Sequence, residues 1–284
     1  MQIDTDSVAD LLCKPATLSE DALYLRMGGC GVRLRSNSPQ LLAGLRRYFS
    51  HVVSASQSFD IEIIAVERDV VDMGLEFVDW KREPGKTGRK DAYVDIAGGR
   101  LIRKVRTGML FLQSEKYRIA AGPCIGYDNQ VINFVNAQFM NWLQQRSWLI
   151  CHAAALSYGN RGFAIAGFSG GGKSTLMLNL LDDDRVSFIT NDRLFIKRVE
   201  GETCAVGIPK LPRVNPGTIV HNERLKQLIE PHRRESLLAL PTQQLWELED
   251  KYDVDVETVY GAGRIAQQAP LAAFLVLNWR RDAD

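Results

Sequence analysis

Residues 167–174 read Gly167-Phe168-Ser169-Gly170-Gly171-Gly172-Lys173-Ser174, the pattern G-x-x-x-x-G-K-S. Backbone N–H groups of such a glycine-rich loop can turn inward and cradle phosphate at the start of a helix. The surroundings match. The apolar run Phe163-Ala164-Ile165-Ala166 before the loop reads as a strand, and Thr175-Leu176-Met177-Leu178-Asn179-Leu180-Leu181 after it reads as a helix. Gly167, Ser169, Gly170, Gly171, Gly172 and Thr175 then belong to the phosphate cradle. Lys173 reaches the β- and γ-phosphates, and the Ser174 hydroxyl ligates Mg²⁺. ATP and Mg²⁺ are the expected ligands, because a strand, a P-loop and a helix in this order make an α/β nucleotide site.

Working outward, a second carboxylate is needed for metal or for activating a nucleophile. The strand Val186-Ser187-Phe188-Ile189-Thr190 ends at Asn191-Asp192. Strand ends meet at the ligand crevice in open α/β sheets, which makes Asp192 the candidate base and metal partner. Upstream, Trp148–Leu156 reads as a buried strand, joined by the turn Gly159-Asn160-Arg161-Gly162 to the P-loop strand. His152 lies on it. A histidine on an apolar strand is ordinarily a core residue, but a tight hairpin lays this one beside the phosphate site. Lys210 and Arg213 follow in a Pro/Gly-punctuated segment, as phosphate clamps or as solvated loop charges.

The remaining chain bounds the class. It has 284 residues, 45% hydrophobic and 24% charged, with a net charge of +1. That balance gives no sign of nucleic acid as a partner. No apolar stretch is long enough for a bilayer, and the acidic start Met1-Gln2-Ile3-Asp4-Thr5-Asp6 is unlike a signal peptide. Five scattered cysteines form no C-x-x-C pair, as expected of reduced thiols in a cytoplasmic protein.

The front of the chain reads as a small α+β unit. Strands at Ala22–Met27 and Val32–Arg35 flank Gly28-Gly29, and Ser38-Pro39 opens a helix carrying Leu41, Leu42, Leu45, Tyr48 and Phe49. A strand at Ile61–Val66 precedes a meander of four more, 92–96, 101–105, 109–112 and 117–121, with a charged hairpin tip at 81–90. After Gly122-Pro123, Asp128 caps a helix with Ile132, Val135, Phe139, Trp142 and Leu143 on one face. Thr242 caps another, ahead of Leu245 and Trp246. The run 271–279 reads as a core strand, which leaves a further element missing beyond it or places it at a sheet edge.

From Cys151 to Ile196 the chain resembles the catalytic domain of the HPr kinase/phosphorylase family, and more closely its HPr-kinase-like relatives. The shared parts are His152 on a strand, the turn 159–162, the P-loop 167–174 and the strand ending at Asn191-Asp192. The resemblance implies an α/β P-loop kinase domain with a mixed sheet flanked by helices (126–284), preceded by the α+β domain (1–125). It implies transfer of the ATP γ-phosphoryl group to a hydroxyl of a protein serine. Asp192 takes the hydroxyl proton, His152 adjusts the charge of Asp192, and Lys173 holds phosphate. Family members assemble as hexamers, so a homo-oligomer is implied. The chain also departs from the family. Asn191 stands where the family has the first of two aspartates, Phe168 replaces an aspartate of the loop, and Thr175 replaces an acidic residue. The downstream signature matches Gly207–Gly217 by position alone. These departures bear on carrier-protein specificity and reverse phosphorolysis more than on simple kinase activity.

Other readings stay open. A small-molecule kinase would use the same loop. A non-catalytic ATP-binding interaction module would tolerate Asn191. An ABC-type ATPase shares the Gly-Lys-Ser-Thr string, but its L-S-G-G-Q signature is absent from the sequence.

Overall fold

The computed structural model describes residues 3–14, 16–81, 88–168, 170–248 and 250–278. It is a mixed α/β structure that divides into two compact units between Trp142 and Leu143. The boundary expected from composition lay at 125/126; the division falls later, inside a helix.

The first unit holds α1 (Thr5–Cys13), β1 (Ala22–Met27), β2 (Cys30–Ser36), α2 (Pro39–Tyr48), β3 (Ile61–Glu67) and β4 (Val78–Asp79). It continues with β5 (Asp91–Ile96), β6 (Gly99–Lys104), β7 (Leu110–Ser114), β8 (Arg118–Gly122) and most of α3 (Asp128–Gln145). The strands form one sheet in the order β1-β2-β3-β8-β7-β6-β5-β4. The β2–β3 and β3–β8 pairs are parallel, whereas the meander expected from the sequence is antiparallel throughout. Ser38 caps α2 as expected, its hydroxyl accepting from the Leu41 N–H, with Pro39 in the first turn. Helix α1 has no strong sequence signal, yet Asp4 caps it and Val8 and Leu12 bury against Leu101, Leu110 and Ile119. Of the hairpin tip expected at 81–90, residues 82–87 lie outside the described residues.

The second unit begins with β9 (Leu149–Tyr158) and β10 (Arg161–Gly167). Gly159 and Asn160 have φ of 53° and 61°, and Tyr158 pairs with Arg161. This two-residue turn, with both residues at positive φ, matches the twist of the hairpin strands. Then come α4 (Lys173–Leu180), β11 (Val186–Thr190), β12 (Arg193–Val199) and β13 (Glu202–Gly207). Short elements follow: β14 (Arg213–Val214), α5 (Pro216–Ile219), α6 (Pro231–Leu238), α7 (Thr242–Glu247), β15 (Tyr252–Asp253) and α8 (Val256–Tyr260). The final strand is β16 (Gln268–Leu277).

The connectivity follows from β9, which is long enough to serve two neighbours on one edge. Its residues 155–158 pair with β11 and 149–152 with β12, while its other edge takes β10. Strand β16 runs parallel to β10 and its start pairs with β13, so β9, β10, β16, β13 and β12 close a ring of pairings. Alternation along β9 sends Ala154 and Leu156 to one core, with Ile165, Met177 and Leu178. Ala153 and Ala155 face the other core, with Ala164, Ala205 and Ala269. Both faces are therefore buried here, and alanines suit the crowded side.

Two expected core strands are covered only in part. Leu149 is 67% exposed and Ile150 46%, because β9 outruns its cover at the β12 end. Residues 272–276 of β16 are exposed, since that stretch pairs with β10 alone among the described residues and has a free edge. Trp279 lies outside the described residues. Thr242, expected to cap a helix, is instead the first residue of α7; Pro241 occupies the cap position and no side-chain cap forms.

Arg264 ties the end of α4 to the start of β11. It is buried and donates to the carbonyls of Leu181, Asp183, Val186 and Tyr260, at 2.7–2.9 Å. The Asp183 carbonyl also accepts from the Val186 N–H, so there the guanidinium adds a second donor. The clamp thereby sets where β11, and the corner beyond it, lies relative to the P-loop helix.

Candidate functional site

Strand β10 ends at Gly167 and α4 begins at Lys173, with the loop between them. Gly172, at φ 81°, takes the α4 cap position in the left-handed region, which favours glycine. At Gly171 a Cβ would lie 2.9 Å from the Phe168 carbonyl oxygen, so the loop's inner curve admits no side chain there. Lys173 is 7% exposed, and its ammonium donates to the carbonyls of Gly167 (3.0 Å) and Phe168 (2.9 Å). Burial lowers its pKa below the ordinary lysine value, and the Asp192 carboxylate opposes that shift. The Phe168 side chain points away from packing, 82% exposed.

The second wall is the corner between β11 and β12. Buried Thr190 donates its hydroxyl to the Arg193 carbonyl (3.0 Å), which closes the corner around Asn191 and Asp192. Arg193 pairs in register with His152 on β9. The corner thus brings Asp192 Oδ1 to 2.9 Å from His152 Nε2 and 3.4 Å from the Arg193 guanidinium. Gly207 makes this approach feasible from the β13 side: a Cβ there would fall 2.1 Å from the Ile189 carbonyl oxygen. The chain beyond it, Ile208 to Arg213, runs past the corner.

A cavity of about 530 Å³ joins these walls, within the size range of small-ligand sites. Gly170, Gly171, Gly172, Lys173, Ser174 and Thr175 line it, together with His152 and Asp192. Gly167 contributes its carbonyl to Lys173, and Ser169 lies outside the described residues. Lys210 and Arg213, ambiguous in the sequence, also line the cavity. Burial pushes the Lys210 ammonium below the ordinary lysine range, with Asp192 opposing. Arg213 is paired with Asp253 at 2.8 Å.

Thr190, Asn215, Thr218, Trp246 and Lys251 line the cavity too, and sequence reading missed them. Thr190 ends the strand that leads to Asp192; the others come from segments without a motif, and folding alone brings them together. Thr218 on α5 meets Thr175 on α4, hydroxyl to hydroxyl at 3.0 Å.

The residues present fit a nucleotide–Mg²⁺ pair. Two buried acceptors of the lining, Asn191 Oδ1 and Asn215 Oδ1, have no hydrogen-bond partner within the described chain, as groups awaiting a donor or a cation would. No cluster of three or more His, Cys, Asp or Glu suited to a metal occurs among the described residues. Mg²⁺ does not require one, since it commonly binds through one or two carboxylates and substrate phosphates. No described helix is long and apolar enough to cross a membrane.

No protein-family model matches the chain, and no curated protein matches it. Among solved structures it is similar to the Hpr(Ser) kinase/phosphatase from Coxiella burnetii, at 16% identity and a TM-score of 0.30. The match covers 48% of this chain and 63% of that one, so this chain spans less than two thirds of the length of that protein. A likeness of that size carries no weight for fold or activity. The functional reading rests on the loop, the corner and the cavity between them.

Proposed function

We propose that this chain is an ATP-dependent phosphotransferase that moves the γ-phosphoryl group to a hydroxyl, with a protein serine as the acceptor. The observation that carries the reading is the His152–Asp192 pair at 2.9 Å, set in the same cavity as the P-loop lysine. A P-loop alone binds phosphate; a carboxylate beside it can take the proton of an attacking hydroxyl.

Lys173 and the loop N–H groups hold the phosphates. Asp192 accepts the acceptor's hydroxyl proton as the new O–P bond forms and the bond to the β-phosphate breaks, releasing ADP. His152, within hydrogen-bonding distance of a carboxylate oxygen of Asp192, orients that carboxylate. Ser174 and Asp192 would hold Mg²⁺, which supplies charge neutralisation on the phosphate oxygens. Asn191 cannot ionise, so one carboxylate serves where a pair would divide the work. The deciding experiment compares Asp192→Asn with the wild type: nucleotide binding retained with transfer lost supports the assignment.

A second reading has its own support. Lys210 is half-buried in the cavity near Asp192, and Arg213 lines the same cavity. Cations beyond the phosphate loop suit a small acceptor that bears an anionic group as well as a hydroxyl. Phosphotransfer to small hydroxyl acids in a protein-free assay favours this acceptor; label entering protein alone favours serine.

A further inference from the structure

The cavity lining brings two groups of residues to Lys173. One is Asp192, which contacts His152. The other, two residues along α4 from Lys173, is Thr175, which meets Thr218 hydroxyl to hydroxyl. Beside Thr218 is Gly217, and Trp246 packs on it. A Cβ at Gly217 would lie 3.1 Å from Trp246 Cε3 and 3.4 Å from Cδ2, so the ring sits directly over bare backbone. Trp246 also lines the cavity and remains 46% exposed. Among the described residues no other aromatic ring or cation covers it.

A large aromatic side chain with one side packed and the other open to a phosphate-binding cavity is a stacking surface lacking its partner. A nucleotide whose γ-phosphate meets Asp192 leaves its nucleoside to the rest of the same lining, which includes Thr218 and Trp246. We propose that Trp246 is the platform on which the nucleobase of the bound nucleoside triphosphate stacks, which sets the direction in which the nucleotide lies in the cavity. The inference rests on the P-loop reading and deepens it: the loop supplies affinity for phosphate, and α7 supplies affinity for the base.

The test separates the two contributions. Calorimetric titration of the full chain with Mg-ATP and, separately, with Mg-tripolyphosphate compares wild type, Trp246→Ala, Trp246→Leu and Lys173→Ala. Leucine keeps apolar packing on Gly217 without a flat ring, so it decides the matter if the alanine variant fails to fold. Stacking of one base on an aromatic side chain predicts about ten-fold weaker ATP binding in the Trp246 variants. Their tripolyphosphate binding should stay within about two-fold of the wild type, whereas Lys173→Ala should weaken both ligands. Wild-type ATP affinity in Trp246→Leu overturns the platform, and so does an equal loss for both ligands, which would make Trp246 a support for α5. A wild type that binds neither ligand, or a Lys173→Ala variant that binds both normally, overturns the P-loop reading and the platform with it.

Discussion

Asp192 Oδ1 lies 2.9 Å from His152 Nε2, although the two residues are forty positions apart, one on β9 and the other in the corner between β11 and β12. The contact comes from register: β12 pairs with the N-terminal half of β9, and Arg193 falls opposite His152. With Asp192 as the proton acceptor, Asp192→Asn should lower the transfer rate by about 10³-fold, within the range of general-base catalysis, with ATP affinity changed less than about three-fold. His152→Ala should cost less, about ten- to a hundred-fold, because it acts through Asp192. Initial rates at saturating ATP, with calorimetric affinities alongside, check both.

Lys173 and Lys210 make a pH prediction with two signs. Burial lowers both pKa values from the ordinary 10.5. Between the lowered values and 10.5 the unfolded chain binds more protons than the folded one, so stability of the ligand-free protein rises with pH across that window. Phosphate affinity runs the other way, since each lost proton removes a cation facing the ligand. Denaturant unfolding and ATP titration over the alkaline range should diverge in this manner. Lys173→Met should abolish the decline in affinity that Lys173 causes and flatten its share of the stability gain.

Gly207 and Gly201 give a paired test of the corner. Gly201 has φ 89° with no atom within 4 Å of where a Cβ would be, so Gly201→Ala bears backbone strain alone, about 1–2 kcal/mol. At Gly207 the added methyl would meet the Ile189 carbonyl at 2.1 Å, and β13 must shift away from β11. Gly207→Ala should cost more than Gly201→Ala, at least about 3 kcal/mol, and should reduce transfer as well because the corner carrying Asp192 moves. Urea midpoints and rates for the two variants decide this.

Arg264 should matter for stability without touching the cavity. Arg264→Met takes a donor from four carbonyls, three of them at the junction of α4 and β11 and one, Tyr260, at the end of α8. A loss of about 3 kcal/mol or more is expected, since bonds from a charged donor count for more than neutral ones. A midpoint unchanged in denaturant would show that the clamp is dispensable.

The local elements were legible because their signals are local. The Gly159-Asn160 turn, the Ser38-Pro39 cap, the loop glycines and the strand ending at Asp192 each declare themselves within a few residues. What the sequence could not show depends on partners distant in the chain. Parallel pairing of β3 with both β2 and β8 is one case. The far wall of the cavity is the clearest. Thr218, Trp246 and Lys251 have no motif, and Lys210 reads equally as a loop charge until folding places it beside Asp192. The segment after Pro209 reads only as Pro/Gly-punctuated chain with one helix near Thr242, because α5, α6 and α8 are too short to show periodicity.

The central claim is that a hydroxyl receives the γ-phosphoryl group through Asp192. Purified protein with [γ-³²P]ATP, Mg²⁺ and whole lysate of the source cells, resolved by gel for proteins and by thin-layer chromatography for small molecules, tests it directly. The account predicts label in an acceptor with the wild type and none with Asp192→Asn, although that variant still binds ATP. ATP bound by both proteins with label leaving it in neither, or the same labelled acceptor with both, would contradict it.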